Sequence, residues 1–336
     1  MRVTSLTRAG DARHGKDCPF RSKLASWVTS MSTLPMGTRL VLKNLLFLSD
    51  FSDASELAIP YAINLAREYE ARLHALHVLT PVAIAYTDPV TAASAIDAID
   101  EGAQSGIQRL EAQLMGVNHQ TILVRGDSVW SSVRRVLQEQ AIDLLILGTH
   151  GRTGSLKMLM GSVAEEIFRK SSVPVLTIGP AVRMGAHNGG RFHNVLYATD
   201  FSPEAAAALP YAVSLAEENQ AKLQLLHVLP QPKSRRGPIS PAESVADVMH
   251  QLQELVSGET GLWCRPEAIV RFGEPGNRIL AAAKEGNSDL IVLGVKSPGS
   301  GMGIATHLEG AIAHEVVTQA ICPVLTKRLG SLSAVN

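Results

Sequence analysis

The hexapeptide Asp143-Leu144-Leu145-Ile146-Leu147-Gly148 recurs later in the chain as Asp289-Leu290-Ile291-Val292-Leu293-Gly294. In both copies an acidic residue precedes a short, continuous apolar run, and a glycine ends that run. An apolar run without polar alternation is typical of a strand that is buried on both faces of a parallel sheet. The recurrence therefore indicates that the chain builds such a sheet structure twice.

Further pairs of segments recur at an offset of about 150 residues, which predicts a duplicated chain. They are Ser49–Ser52 and Thr199–Ser202, Ile59–Ala62 and Leu209–Ala212, Leu76–Leu79 and Leu226–Leu229, and Ser172–Thr177 and Ile321–Thr326. The predicted organisation is an N-terminal extension (1–39), a first domain (40–181), a linker of small residues (182–191), a second domain (192–329) and a tail (330–336).

Within each copy, short apolar runs alternate with patterns of helical period. In the first copy the predicted strands are Val41–Ser49, Arg72–Leu79, Gln120–Arg125, Leu144–Gly148 and Val175–Ile178. The predicted helices are Ser52–Tyr69, a longer one within Thr91–Leu114, Ser128–Gln140 and one from Ser162. This alternation predicts an α/β fold of two tandem, doubly wound, five-stranded parallel-sheet domains of Rossmann-like type. Right-handed crossovers favour the strand order 3-2-1-4-5 in each domain.

Charge and composition narrow the class of protein. The chain carries 31 basic and 31 acidic residues, and its pI is about 7.2, which argues against a broad nucleic-acid or anionic-membrane surface. No apolar stretch approaches the roughly 18–20 residues that a membrane helix needs. Three widely separated cysteines form neither a disulfide framework nor a metal-ligand spacing. We therefore expect a cytoplasmic protein that binds neither nucleic acid nor membrane.

The N-terminal extension, residues 1–39, is basic and lacks a hydrophobic period. It has no apolar segment followed by a small-residue cleavage site, so a secretory signal is not expected. We expect a disordered tail, or sequence upstream of a true start at Met31 or Met36, with a basic targeting peptide as the alternative.

The segment after the fourth strand carries the pattern Gly148-x2-Gly151-x9-Gly161-Ser162. Glycine allows the backbone to approach a ligand closely, and free N–H groups at the start of a helix favour an anion. In a doubly wound sheet, ligands bind at the carboxyl ends of the strands where the strand order reverses. The pattern therefore predicts a phosphate cradle at that edge, opposite the end of the first strand.

This spacing, together with Asp50-Phe51-Ser52 after the first strand and the closing Pro-Val strands, resembles the ATP-binding branch of the universal stress protein family over residues 40 to 328. The resemblance implies an ATP site with a divalent cation, Mg²⁺ or Mn²⁺. It places the adenine nucleotide against nine residues: Ser49, Asp50, Val78, Gly148, His150, Gly151, Gly161, Ser162 and Val163. It also implies dimerisation across the final strands, here as an internal pseudo-dimer of the two domains, with a homo-oligomer as a further possibility.

The second copy departs from this pattern. Ser297 replaces the second glycine, the loop is about three residues longer, and Ala311 replaces the hydroxyl residue beside Gly310. Asp200 and Val228 are retained. We therefore expect weak or no ATP binding in the second copy, whose glycine-rich loop could serve another small anion.

Several residues also have simpler interpretations. Asp50 could cap the following helix, and His77 and His227 are expected to be packed histidines and not metal ligands. His150, Arg152 and Lys157 could each be solvated loop residues. No P-loop, nucleophile elbow or paired-carboxylate site is found, so a dedicated enzyme is not indicated.

Three functions remain open on the sequence. The first is a nucleotide-dependent stress or signalling module that alters a surface for an unknown protein partner through the loop 151–160. The second is a nucleotide-independent scaffold with a vestigial glycine loop, and the third is a slow ATPase or phosphotransferase. The intact glycine and serine set of the first copy favours the first.

Overall fold

The computed structural model describes residues 40–80, 89–149, 160–182, 188–231, 245–256, 264–296 and 305–329. The predicted N-terminal extension and C-terminal tail lie outside these residues. In the first half the strands are β1 (Asn44–Leu48), β2 (Arg72–Leu79), β3 (His119–Arg125), β4 (Leu144–Gly148) and β5 (Val175–Ile178). The helices are α1 (Asp53–Glu56), α2 (Ile59–Glu68), α3 (Pro89–Gln113), α4 (Val129–Glu139) and α5 (Ser162–Lys170).

The second half repeats this order. Its strands are β6 (Asn194–Ala198), β7 (Lys222–Leu229), β8 (Glu267–Phe272), β9 (Leu290–Val295) and β10 (Val324–Arg328). Its helices are α6 (Pro203–Glu218), α7 (Val245–Glu254), α8 (Pro275–Glu285) and α9 (Ala305–Gln319). The predicted α/β class and the alternation of strands with helices are confirmed.

The strands of both halves form one 10-stranded sheet in the order β3-β2-β1-β4-β5-β10-β9-β6-β7-β8. Each half alone has the predicted order 3-2-1-4-5 and is parallel. The two halves meet where β5 pairs with β10 in antiparallel fashion, with Leu176 opposite Leu325. The last strands of the halves thus cover each other's edges, which would otherwise present unpaired backbone groups.

The apolar strands explain why helices cover both faces of the sheet. Successive side chains of a strand point to opposite faces, and Leu144 and Ile146 belong to one buried cluster while Leu145 and Leu147 belong to the other. Each cluster contains residues of both halves. The two halves consequently share their cores.

The helix predicted from Ser52 to Tyr69 is divided in the structure. Ser52 is the N-cap, as predicted, and its hydroxyl accepts the N–H of Ser55 at 3.3 Å. However, α1 ends at Glu56, and α2 begins at Ile59 with Pro60 in its first turn. A proline has no N–H to donate to the carbonyl four residues earlier. Pro210 occupies the matching position inside the continuous helix α6, so proline alone does not enforce the break.

The end of the predicted linker packs against the first half. Asn188–Gly190 forms a short 3₁₀ helix. Gly190 has a positive φ of 92°, and a Cβ on it would lie 2.5 Å from the carbonyl oxygen of Pro60. Glycine is therefore required at position 190 by both conformation and space.

The side chain of Arg328, at the end of β10, donates hydrogen bonds to backbone carbonyl oxygens of both halves. Its residue surface is only 8% exposed. Nε and Nη2 donate to the carbonyl oxygen of Phe168 in α5, at 3.1 and 2.8 Å, and Nη1 donates to the carbonyl oxygen of Lys296. The guanidinium also lies over the Phe168 ring, 5.3 Å from its centroid. Burial, with a smaller effect of the Arg169 charge, lowers the pKa of Arg328 to about 10.

We expect His74 to make the stability of the fold depend on pH. It is 1% exposed within β2, with Nε2 3.4 Å from Oδ1 of Asn44. Burial, assisted by the Arg72 charge, lowers the pKa of His74 below its usual 6.5. The unfolded chain therefore binds a proton at a higher pH than the folded chain, and stability present above pH 6.5 is lost as the pH falls through the folded pKa.

We expect His74→Gln to reduce the loss of unfolding free energy that occurs as the pH falls below the usual histidine pKa of 6.5. Urea unfolding at several pH values measures this pH dependence, because each urea titration yields one unfolding free energy. If the unfolding free energy of the variant falls with pH as steeply as that of the wild type, other groups cause the acid sensitivity.

Candidate nucleotide site

A cavity of about 180 Å³ opens at the carboxyl ends of β1, β2 and β4 and is closed on one side by the start of α5. Seven of the nine site residues predicted from the sequence line it: Ser49, Asp50, Val78, Gly148, Gly161, Ser162 and Val163. The other two, His150 and Gly151, lie outside the described residues, as do Arg152 and Lys157. The structure thus brings residues from three strands and one helix together around one space.

The turn after β1 holds Ser49 in a fixed position. Ser49 is 8% exposed, and its hydroxyl accepts the N–H of Phe51 at 3.2 Å and lies 3.3 Å from the hydroxyl of Ser55. Nδ1 of His77 lies 2.7 Å from the Ser49 carbonyl oxygen, and the His77 ring stacks on Phe51 at 4.2 Å. His77 is therefore a packed residue that fixes this turn, as the sequence predicts.

Asp50 is half-buried at the edge of the cavity. Its Oδ1 accepts the N–H of Ser52 at 3.0 Å and the hydroxyl of Ser52 at 2.5 Å. The alternative in which Asp50 itself caps the helix is wrong, because Ser52 is the N-cap of α1. Asp50 instead orients that cap while it lines the cavity.

The N-terminus of α5 faces the cavity without a side-chain cap. Gly161 is the N-cap residue and makes no side-chain capping hydrogen bond. Its own N–H donates to the carbonyl oxygen of Thr149 at 2.7 Å, which ties the helix start to the end of β4. Ser162 and Val163 follow with exposed side chains. The first N–H groups of a helix have no partner within the helix, so this end is suited to an anion.

Gly148 has a packing role beside its place in the cavity wall. A Cβ at this position would lie 2.5 Å from the carbonyl oxygen of Ala54 and 3.1 Å from the backbone nitrogen of Ser55. The end of β4 and the first turn of α1 therefore touch through their backbones. Only glycine permits this approach.

The residues that line the cavity but were not among the predicted site residues include Ser55, Val129 and Thr149. Ser55 lies one turn after the Ser52 cap, and Thr149 directly follows β4, so both could have been found from the predicted edge of the sheet. Val129 begins α4 after the edge strand β3. No local signal in the sequence places it at this site.

The second half has a corresponding cavity of about 270 Å³. Thr199, Asp200, Val228 and Gly294 line it, in the places of Ser49, Asp50, Val78 and Gly148. His227 repeats the packing of His77, with Nδ1 2.8 Å from the Thr199 carbonyl oxygen and its ring stacked on Phe201 at 4.7 Å.

The helix after β9 differs from α5 in where it begins. α9 begins at Ala305, so Gly310, which aligns with the N-cap residue Gly161, lies inside the helix. Ser297 and the glycine-rich segment 298–303 lie outside the described residues. The residues aligned with the start of α5 therefore do not form a helix N-terminus in the second half.

In the described part of the chain, no group of three or more His, Cys, Asp or Glu residues is placed to hold a metal ion. Within the same residues, no helix is both long and apolar enough to cross a membrane.

Comparison with known proteins gives one family. The profile of the universal stress protein family matches twice, at residues 42–179 and 191–328. A universal stress protein of Mycolicibacterium smegmatis is 23% identical over 291 residues, which is 83% of this chain and 95% of that protein. A universal stress protein of Methanocaldococcus jannaschii is 27% identical over 139 residues, 40% of this chain and 81% of that protein.

Among solved structures, a universal stress protein from Archaeoglobus fulgidus matches with a TM-score of 0.65 and 22% identity. The match covers 85% of this chain and 98% of that one. At this identity the likeness concerns the fold, which it extends over both halves of the chain.

Proposed function

This chain belongs to the universal stress protein family, and we propose that its first half binds ATP with Mg²⁺ as a nucleotide-dependent module of the stress response. The observation that carries the proposal is the single cavity lined by Ser49, Asp50, Val78 and Gly148 on one side and by the start of α5 on the other. This cavity therefore combines an apolar wall, a carboxylate and an uncapped helix N-terminus, which can bind three chemically different parts of a ligand.

Each chemistry corresponds to one part of the nucleotide. Val78, which packs partly buried against the core, offers an apolar surface to the base. The carboxylate of Asp50 can accept hydrogen bonds from the nucleoside, as acidic residues do with ribose hydroxyls. The N–H groups at Ser162 and Val163 offer donors to phosphate oxygens, and the helix dipole favours the negative charge.

Mg²⁺ would be held mainly by the phosphates. Mg²⁺ is commonly bound through one or two carboxylates together with phosphate oxygens and water, without a cage made of protein alone. Asp50 is the carboxylate among the described residues that line this cavity. We therefore assign the cation to the nucleotide and not to a separate site of the protein.

The proposed location is the cytoplasm, in keeping with the unpaired state of Cys264 and Cys322. Nucleotide-dependent contact with a protein partner is part of the proposal, since bound phosphates would change the chemistry of the surface around the start of α5. ATP hydrolysis is not part of it, because no nucleophile or general base with an evident role lines the described cavity wall.

We expect isothermal titration calorimetry to show one ATP bound per chain in the presence of Mg²⁺. The combined change Gly161→Val and Ser162→Ala should abolish this binding, because a branched side chain at the N-cap obstructs the N–H groups and the hydroxyl donor is lost. Gly310→Ala, at the aligned position inside α9, is the matched control and should leave the stoichiometry unchanged.

Circular dichroism of all three proteins establishes that each is folded. A folded wild-type chain that binds no ATP would contradict the proposal and favour the nucleotide-independent scaffold. Loss of binding in the control as well as in the double variant would show that the effect is not local to α5.

A further inference from the structure

The cavity of the second half is lined by a glutamate, Glu204, that has no counterpart in the cavity of the first half. Glu204 lines this cavity at a position that corresponds to Ala54. The residue is only 9% exposed. Among the residues that the structure describes, none donates a hydrogen bond to its carboxylate or forms an ion pair with it. The Glu204 carboxylate can therefore accept hydrogen bonds from a ligand that brings donors into this cavity.

Among the described residues, the part of this cavity that corresponds to the start of α5 offers no helix N-terminus to a phosphate. Ile312 and Ala313 line it where Val163 and Ala164 line the first one. Because α9 begins at Ala305, Ile312 and Ala313 lie in the interior of the helix. Their N–H groups therefore bond to carbonyl oxygens of the preceding turn. The start of the helix is displaced by six residues, or about 9 Å, from the position that the start of α5 has in the first half.

The charged residues that line the cavity also disfavour the binding of an anion. Asp200 and Glu204 both line the cavity, with Lys296 as the basic residue among the described lining residues. The remaining wall is largely apolar and includes Val228 and Ile279. The cavity is also the larger of the two, at about 270 Å³ against about 180 Å³. It therefore offers room for an apolar ring system and acceptors for hydroxyl groups.

We infer that the second half binds an uncharged nucleoside, whose vicinal ribose hydroxyls donate to Glu204 and Asp200, and that it excludes nucleotides. Acidic residues are the usual partners of ribose hydroxyls, and Glu204 has unused acceptor capacity toward the described residues. The identification of the ligand class rests on the proposed function, because it uses the correspondence between this cavity and the proposed ATP site. The chain would then carry two sites that distinguish a nucleoside from its phosphorylated form.

The test uses adenosine as the probe and the full chain carrying Gly161→Val and Ser162→Ala, which removes the phosphate contacts of the proposed ATP site. Calorimetry should show adenosine binding that depends on Glu204, and no ATP bound. Adding Glu204→Gln, which keeps the shape of the side chain and removes its charge, should weaken adenosine binding by about ten- to a hundredfold. Adding Glu204→Ala, which restores the residue type of the first half, should weaken it at least as much.

Two results would overturn the inference. One is a folded chain that binds no adenosine, or binds it equally well after Glu204→Gln. The other is ATP binding that persists when the first site is removed and depends on Glu204. The test of the first site can fail independently. A wild-type protein that binds adenosine through Glu204 but binds no ATP would contradict the proposed function and leave this inference standing.

Discussion

Replacing Arg328 with methionine is expected to lower the free energy of unfolding by about 3 kcal/mol. The guanidinium donates to two carbonyl oxygens, those of Phe168 and Lys296, which belong to different halves of the chain. Methionine fills much of the same space but donates nothing, so both carbonyl groups would lose a charged donor in a buried setting. Urea unfolding followed by circular dichroism gives the free energy directly.

Lys327→Met is the matched control for this change, since Lys327 precedes Arg328 in β10 and is also a cation. Its Nζ makes one longer hydrogen bond, 3.4 Å from the Ser172 carbonyl oxygen, in an exposed setting. We expect this control to cost less than about 1 kcal/mol. Equal losses in the two variants would show that the net charge of β10 matters and the contacts of Arg328 do not.

Gly148→Ala is expected to destabilise the protein by about 3 kcal/mol and to weaken ATP binding by the first half. The new methyl group would lie 2.5 Å from the Ala54 carbonyl oxygen. This atom belongs to the backbone and cannot rotate away, so the end of β4 and the first turn of α1 must separate. Their separation would also move Asp50 and Ser49 relative to the start of α5.

The control for this prediction is Gly102→Ala in α3, where an added Cβ would meet no atom within 4 Å. There the change should stabilise the protein by about 0.5–1 kcal/mol, because alanine loses less conformational entropy in a helix than glycine does. Thermal unfolding and calorimetry with ATP measure both variants. A Gly148→Ala protein with wild-type stability and affinity would show that the sheet and α1 can move apart without cost.

The strands were predictable because their physical cause is local. Buried parallel strands require uninterrupted apolar runs, and β4, which is Leu144–Gly148, and β5, which is Val175–Ile178, have the bounds expected from the sequence. The strand order in each half also follows from a rule of chain handedness that does not depend on distant contacts. The gathering of the predicted residues around one cavity is a consequence of that order.

The features that could not be predicted depend on contacts between distant residues. The role of Arg328 follows from the pairing of β10 with β5 and β9, which no local pattern reveals. The start of α9 at Ala305 could not be predicted, because Gly310 aligns with the N-cap residue Gly161 and suggested that the helix begins there. Glu204 resembles an ordinary acidic residue in the first turn of a helix, and only the structure shows that it is buried beside a cavity.

The pairing of β5 with β10 has a consequence for folding while the chain is being synthesised. Leu176 lies opposite Leu325 in this pairing, so almost the whole second half must be synthesised before β5 gains its second neighbour. A ribosome adds about 5–20 residues per second, which leaves the edge of β5 open for some seconds of every translation. During that time, the unpaired edge of β5 is available to pair with a second nascent chain on the same messenger RNA, until synthesis of β10 allows it to be covered.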